Sequence, residues 1–205
     1  MKKFLIFFIL TVLFFPAISQ NEIYLARKDT VIKFYKIKIK KAELKYTVKK
    51  KDRRYKSMLT DEVDYVKMYG NIYGVSDKYF LKIDKKFFEN DTSKHAAIDA
   101  CKHYNMYKKA AKGTFWTSFV AGPAFGLIPA IIITKKSPLE INLNMPDNSY
   151  KNSKLYQETY KLQAKRIKNS KVWESYGNGL LMDLELASAV IALSYFGLYL
   201  ATTAF

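Results

Sequence analysis

Gly113-Thr-Phe-Trp-Thr-Ser-Phe-Val-Ala-Gly-Pro-Ala-Phe-Gly-Leu-Ile-Pro-Ala-Ile-Ile-Ile-Thr134 carries no charge; the nearest are Lys112 and Lys135. As one helix it would reach about 31 Å at about 1.5 Å per residue, enough to cross a bilayer core. A second uncharged run, Leu186 to Phe205, closes the sequence. The pair predicts a two-helix transmembrane hairpin, with spans at 113–134 and 179–205. Gly122 and Gly126 stand one turn apart, a small-xxx-small pair that lets a second helix approach closely. Gly177 and Gly179, at the start of the second span, are likewise assigned to helix packing. Pro123 and Pro129 should bend the first, which a membrane helix tolerates when neighbours satisfy the released carbonyls.

Working outward, the amino terminus reads as a signal peptide over residues 1–19. Lys2 and Lys3 are followed by the apolar run Phe4–Phe15, and Ala17 and Ser19 are small residues suited to cleavage before Gln20. No cysteine follows it, so a lipoprotein is excluded. Residues 20–90 predict a small antiparallel β meander or open barrel. Val31-Ile-Lys-Phe-Tyr-Lys-Ile-Lys-Ile-Lys-Lys41, Glu43-Leu-Lys-Tyr-Thr-Val48 and Val63-Asp-Tyr-Val-Lys-Met-Tyr69 show period-two patterning, and Tyr79–Ile83 is a further strand. Asp29-Thr30, Lys51-Asp52 and Gly70-Asn71 supply turns. The alternation sets a solvated lysine face against Leu44, Tyr46 and Val48. The fold class is therefore α+β, with amphipathic helices between the β unit and the membrane hairpin.

The first such helix, 91–112, is capped from Asp91, Thr92 or Ser93 and runs straight into Gly113; Ala97, Cys101, Tyr104 and Ala111 recur at helical spacing. The second lies in the basic segment 135–178, with Tyr156, Tyr160, Ala164 and Ile167 as its apolar stripe. Lys161, Lys165, Arg166 and Lys168 on its flanks suit an anionic surface. A weak internal repeat links the halves: paired tyrosines, a tryptophan, then glycines. It places Tyr104, Tyr107, Trp116, Tyr156, Tyr160 and Trp173 at the membrane interface. Segment 135–178 has nine basic residues against four acidic, so the positive-inside tendency puts it in the cytoplasm, with the β unit and the carboxyl terminus outside.

The chain has 205 residues and a net charge of +17. Only Arg27, Arg53, Arg54 and Arg166 are arginines, and bidentate readout of phosphates and base edges leans on arginine. Nucleic acid is thus a poor partner; membrane lipid, anionic lipid or an acidic envelope polymer fits better. Cys101 is alone, so no intramolecular disulfide can form, and its expected role is apolar filler on a helix. His95, Asp99 and His103 line one helix face, but the histidines are about 12 Å apart along the axis, too far to share an ion. No metal, cofactor or catalytic residue is expected. Asp183 and Glu185 begin the last span and read as interfacial.

These residues resemble a family of uncharacterised bacterial envelope proteins. The likeness is carried by Asp99-Ala100, Tyr104, Tyr107, Gly113-Thr114, Gly122-Pro123, Gly126-Leu-Ile-Pro-Ala130, Asn142-Leu143, Tyr160, Ala164-Lys165, Lys168, Lys171-Val-Trp173 and Gly177. It covers about residues 95–180 well and the β segment loosely; His103 and Lys108 depart from it. The resemblance implies a signal peptide, a small β segment and two glycine-bearing membrane helices, and it brings no activity. The resulting expectation is a non-enzymatic integral membrane protein of the inner membrane. Its exported β domain would be tethered by a helical hairpin that assembles with itself or with a membrane protein partner.

Overall fold

The structure, a computed structural model, describes residues 21–26, 30–40 and 42–203, with the last seven as backbone only. The expected signal peptide and Asp29 lie outside the described residues. The fold is α+β and divides into two units between Lys102 and His103.

Among the described residues, the first unit holds eight strands: β1 (Asn21–Leu25), β2 (Val31–Phe34), β3 (Lys36–Lys40), β4 (Glu43–Thr47), β5 (Lys56–Leu59), β6 (Val63–Met68), β7 (Asn71–Val75) and β8 (Phe80–Ile83). They form an antiparallel five-stranded sheet ordered β2-β1-β6-β7-β8 and an antiparallel three-stranded sheet ordered β3-β4-β5. β6, β7 and β8 are a meander. Ile23, facing Ile32 on one side and Val66 on the other, sits in a core shared by both sheets with Phe34, Leu44, Tyr46, Val63 and Val75.

The run 31–41, expected as one strand, is two. Its inward residues are Ile32 and Phe34, then Ile37 and Ile39, so the alternation changes parity at Tyr35. A strand that keeps one face buried cannot absorb that slip. The chain turns a corner there instead, Tyr35 N donating to Thr47 O at 2.7 Å, and β3 enters the second sheet. Lys36, Lys38 and Lys40 are exposed as expected, whereas Val48, placed inward by the same pattern, is exposed too. The Gly70 turn is a two-residue hairpin in which Tyr69 (φ 50°) and Gly70 (φ 73°) both take positive φ, the twist that flanking strands favour.

Helix α1 (Asp91–His103) is capped by Asn90, one residue before the expected caps: its side-chain oxygen accepts from Thr92 N at 2.9 Å. Ala96, Ala97, Ile98, Ala100 and Cys101 are buried. Cys101 fills the space above Gly74 in β7, where an added Cβ would lie 2.5 Å from Sγ and 2.6 Å from the cysteine Cβ. The helix does not continue to residue 112; it stops at His103, and Tyr104, Asn105 and Met106 separate it from α2 (Tyr107–Lys135). A loop with a buried Leu143 then leads to α3 (Lys154–Thr203), unbroken through Gly177 and Gly179.

Two predictions follow from the first unit. Gly74→Val should destabilise it by about 1–3 kcal/mol through overpacking, and adding Cys101→Ala should recover part of the loss in thermal melts of the detergent-solubilised chain. The second concerns alkali. Tyr24 stacks on Tyr65 at 4.3 Å, donates to Glu22 Oε2 (2.7 Å) and accepts from Lys67 Nζ (2.8 Å). Burial, reinforced by Glu22, pushes the Tyr24 phenol from 10.0 up to about 12, and burial with Tyr24 beside it does the same to Tyr65. Below pH 10 both the folded and unfolded chains keep these protons. Between pH 10 and about 12 only the folded chain does, so the stabilisation is lost as pH rises. Denaturation midpoints should fall across that window, and Tyr24→Phe should flatten the fall.

Candidate functional site

The second unit is organised by a reversal in α2. Gly122 has φ 77° and ψ −177°, a backbone region essentially confined to glycine, and it divides the helix into arms 107–121 and 123–135. Pro123 starts the second arm, where its missing N–H costs no helical bond and its fixed φ suits the first turn. In an uninterrupted helix residues eight apart are separated by about 12 Å along the axis. Here a Cβ added at Gly126 would lie 2.5 Å from Ser118 Cα, so the second arm folds back on the first. The arms are about 22 Å and 19 Å long at the ordinary helical rise.

Helix α3 packs on this hairpin. A Cβ at Gly179 would meet Ser118 Oγ at 2.0 Å and Phe115 O at 2.6 Å. Ser118, Thr114 and Ala130 are fully buried, small residues at the centre of three helical segments. Tyr176 Oη donates to Pro123 O at 3.0 Å, beside the bend. At the other end, the last carbonyls of the second arm are satisfied from α3. Asn169, with its amide turned to make the bond, donates to Thr134 O at 3.1 Å, and Lys168 Nζ donates to Lys136 O.

The four glycines assigned to helix packing thus take three roles. Gly126 and Gly179 make close contacts inside the unit, Gly122 is the bend, and the Cβ position of Gly177 faces open space. The interface aromatics also divide. Trp116 and Trp173 are exposed at 50% and 42%. Tyr104, Tyr107, Tyr156 and Tyr160 are instead interior residues: Tyr160 Oη donates to Leu143 O at 3.0 Å, Tyr156 Oη accepts from Asn148, and neighbouring tyrosine rings lie about 6.1 Å apart. Of the basic set, Arg166 is exposed, Lys161 (paired with Glu140) and Lys165 are half-buried, and Lys168 is buried as a cap. Burial, and then Lys165 nearby, hold its amine below the ordinary lysine range.

What remains apolar faces outward. Val120, Phe125, Ile128 and Ile132 on the hairpin are exposed, as are Leu181, Leu184, Leu186, Val190, Leu193 and Phe196 on α3. Two helical segments, 107–135 and the one reaching Phe196, are long and apolar enough to cross a membrane, and only 17% and 6% of their most apolar windows are buried. The core helix of a soluble domain would show the opposite. Asp183 and Glu185 stand near the start of the exposed stretch of α3.

Elsewhere, Thr47, Val48, Lys51, Arg53, Arg54 and Lys56 line an open groove of about 480 Å³ at the β4–β5 turn. Among the described residues no cluster of three His, Cys, Asp or Glu side chains is arranged to hold a metal ion. No family model, curated protein or solved structure matches the chain.

The two glycine environments give opposite expectations. Gly126→Val should disrupt the second unit, because the nearest atoms are the backbone and Cβ of Ser118, which cannot move aside. Gly177→Ala, helical and facing open space, should be neutral or stabilising by up to about 1 kcal/mol. Resistance of the detergent-solubilised chain to protease and heat measures both.

Proposed function

We propose that this protein is a non-enzymatic membrane-anchored module. In this reading the second unit is seated in lipid, and the β unit is displayed at the surface of a bacterial inner membrane, exported behind the amino-terminal leader. The observation that carries it is the outward apolar surface of α2 and α3. Burying each Leu, Ile, Val or Phe side chain is worth about 1.5–3 kcal/mol, and here a dozen such groups have no cover inside the protein. Gly126 is already occupied by Ser118, so assembly with itself or a membrane partner falls to the exposed faces of α3 rather than to the Gly122–Gly126 pair. The resemblance to envelope proteins points the same way.

A second reading is favoured by one feature, the basic groove. Two of the four arginines and two lysines line it with a single carboxylate, Asp52, which accepts from Lys49 N. Such a groove suits anionic lipid headgroups or an acidic envelope polymer. Vesicle flotation separates the readings. An embedded chain should float with neutral and anionic vesicles alike and resist high salt and alkaline carbonate. Attachment through the groove alone would need anionic lipid, weaken steeply with salt, and be lost in Arg53→Ala/Arg54→Ala.

A further inference from the structure

We propose that α2 does not cross the bilayer: it dips into one leaflet as a re-entrant hairpin and leaves on the side it entered, so that only α3 crosses. This rests on the membrane reading above but differs from the two-span topology that hydropathy implies. Three observations carry it. First, the backbone reverses at Gly122, with Gly126 against Ser118, so the ends of the apolar stretch cannot lie on opposite faces of a membrane. Neither arm, at about 22 and 19 Å, matches a hydrocarbon core of about 30 Å.

Second, the charges agree. Lys108, Lys109 and Lys112 close the first arm, while Lys135 and Lys136 close the second, and all five are exposed. A reversal brings these lysines to the same end of the hairpin, where headgroup phosphates can meet them, and leaves the bend, with exposed Val120, Ala121, Ala124 and Phe125, to enter the acyl region. A straight span would put the two sets on opposite surfaces. Third, α3 fixes this shape along its length, with Lys168 and Asn169 at the lysine end, Tyr176 at the bend and Gly179 against Ser118. The polar segment 136–153 and the basic first half of α3 therefore stay on the side of residues 103–106, rather than on the opposite side as the count of basic residues alone predicts. The outward faces of the arms take a single leaflet as their partner.

The test is sidedness of labelling in the full chain. With Cys101→Ala as background, single cysteines replace exposed Asn105, exposed Ser149 and Thr203, and sealed inner-membrane vesicles or spheroplasts are treated with a membrane-impermeant maleimide. The re-entrant arrangement predicts that Asn105→Cys and Ser149→Cys react from the same side and Thr203→Cys reacts from the other, needing permeabilisation when they do not. Labelling of Asn105→Cys and Thr203→Cys together, with Ser149→Cys opposite, means two crossings and overturns the proposal while leaving the membrane reading intact. Labelling of all three from one side, with release by alkaline carbonate, overturns both.

Discussion

The second unit depends on how closely three backbones approach at Ser118. Gly126 comes from the returning arm and Gly179 from α3, and neither position has room for a methyl group. In water a hydrophobic core could hold these helices apart by a side chain and still be stable. In lipid, apolar side chains gain nothing by leaving the acyl chains for each other, so association rests on dispersion between closely packed surfaces and on hydrogen bonds. Small residues at 114, 118, 126, 130 and 179 provide that closeness, which is why larger apolar residues can be left on the outside. The same contact defines the bend, since Gly122 could reverse the chain without it but could not hold one angle.

On the proposed membrane reading, a bend and a helix end leave backbone groups with no water to turn to, so side-chain donors near them matter. Thr114, Thr117, Ser118 and Thr134 donate to carbonyls three or four residues back along α2, within the arms rather than at the bend. Tyr176 reaches the Pro123 carbonyl, and Asn169 and Lys168 reach those ending the second arm. The Lys168 ammonium also meets the negative end of that arm's dipole, a favourable place for a cation. Its burial acts against the charged form, and the cap offsets part of that cost. Lys168 is therefore better understood as a structural cap on α2 than as part of a lipid-binding surface.

Much of this was readable from the residues, and the failures share a cause. Period-two patterning located β3, β4, β6 and β8, and the parity change at Tyr35 was present in the string Val31–Lys41, although only a second sheet gives it meaning. The strands β1, β5 and β7 are no shorter than β8, but Asn21–Leu25, Lys56–Leu59 and Asn71–Val75 lack a clean two-residue alternation of apolar and polar residues. The uncharged stretch announced an apolar segment, and Pro123 and Pro129 announced bends, but hydropathy is blind to angle: a straight span and a folded hairpin have the same composition. A tyrosine stripe is likewise the same whether it faces headgroups or protein. What places these tyrosines is distant in sequence: Leu143 and Asn148 bond the Tyr160 and Tyr156 hydroxyls, and Tyr104 and Tyr107 are buried. Positions whose role is set by a residue far away in sequence, such as Lys168 by Lys136, leave no local trace.

On the proposed membrane reading, the depth at which the second unit would sit follows from a competition along α3. Gly179 packs on Ser118, and Asp183 lies about 6 Å further along the axis at the ordinary helical rise. Seating the hairpin down to Lys112 and Lys135 therefore draws Asp183 and Glu185 inward, at a cost of about 2.5–3.5 kcal/mol for an acidic residue at the centre of a span and less nearer its edge. Raising the unit to spare them would leave Val120, Phe125, Ile128 and Ile132 in water, each forfeiting about 1.5–3 kcal/mol, with Leu181 and Leu184 added. Six apolar groups outweigh two carboxylates, so on the proposed membrane reading the inserted position is the favoured one. Asp183, already half-covered by the protein, then bears less of the solvation loss than Glu185, which is exposed on α3. In that seating the bilayer around Glu185 would have to thin or admit water to meet it, so the local distortion should centre on that residue.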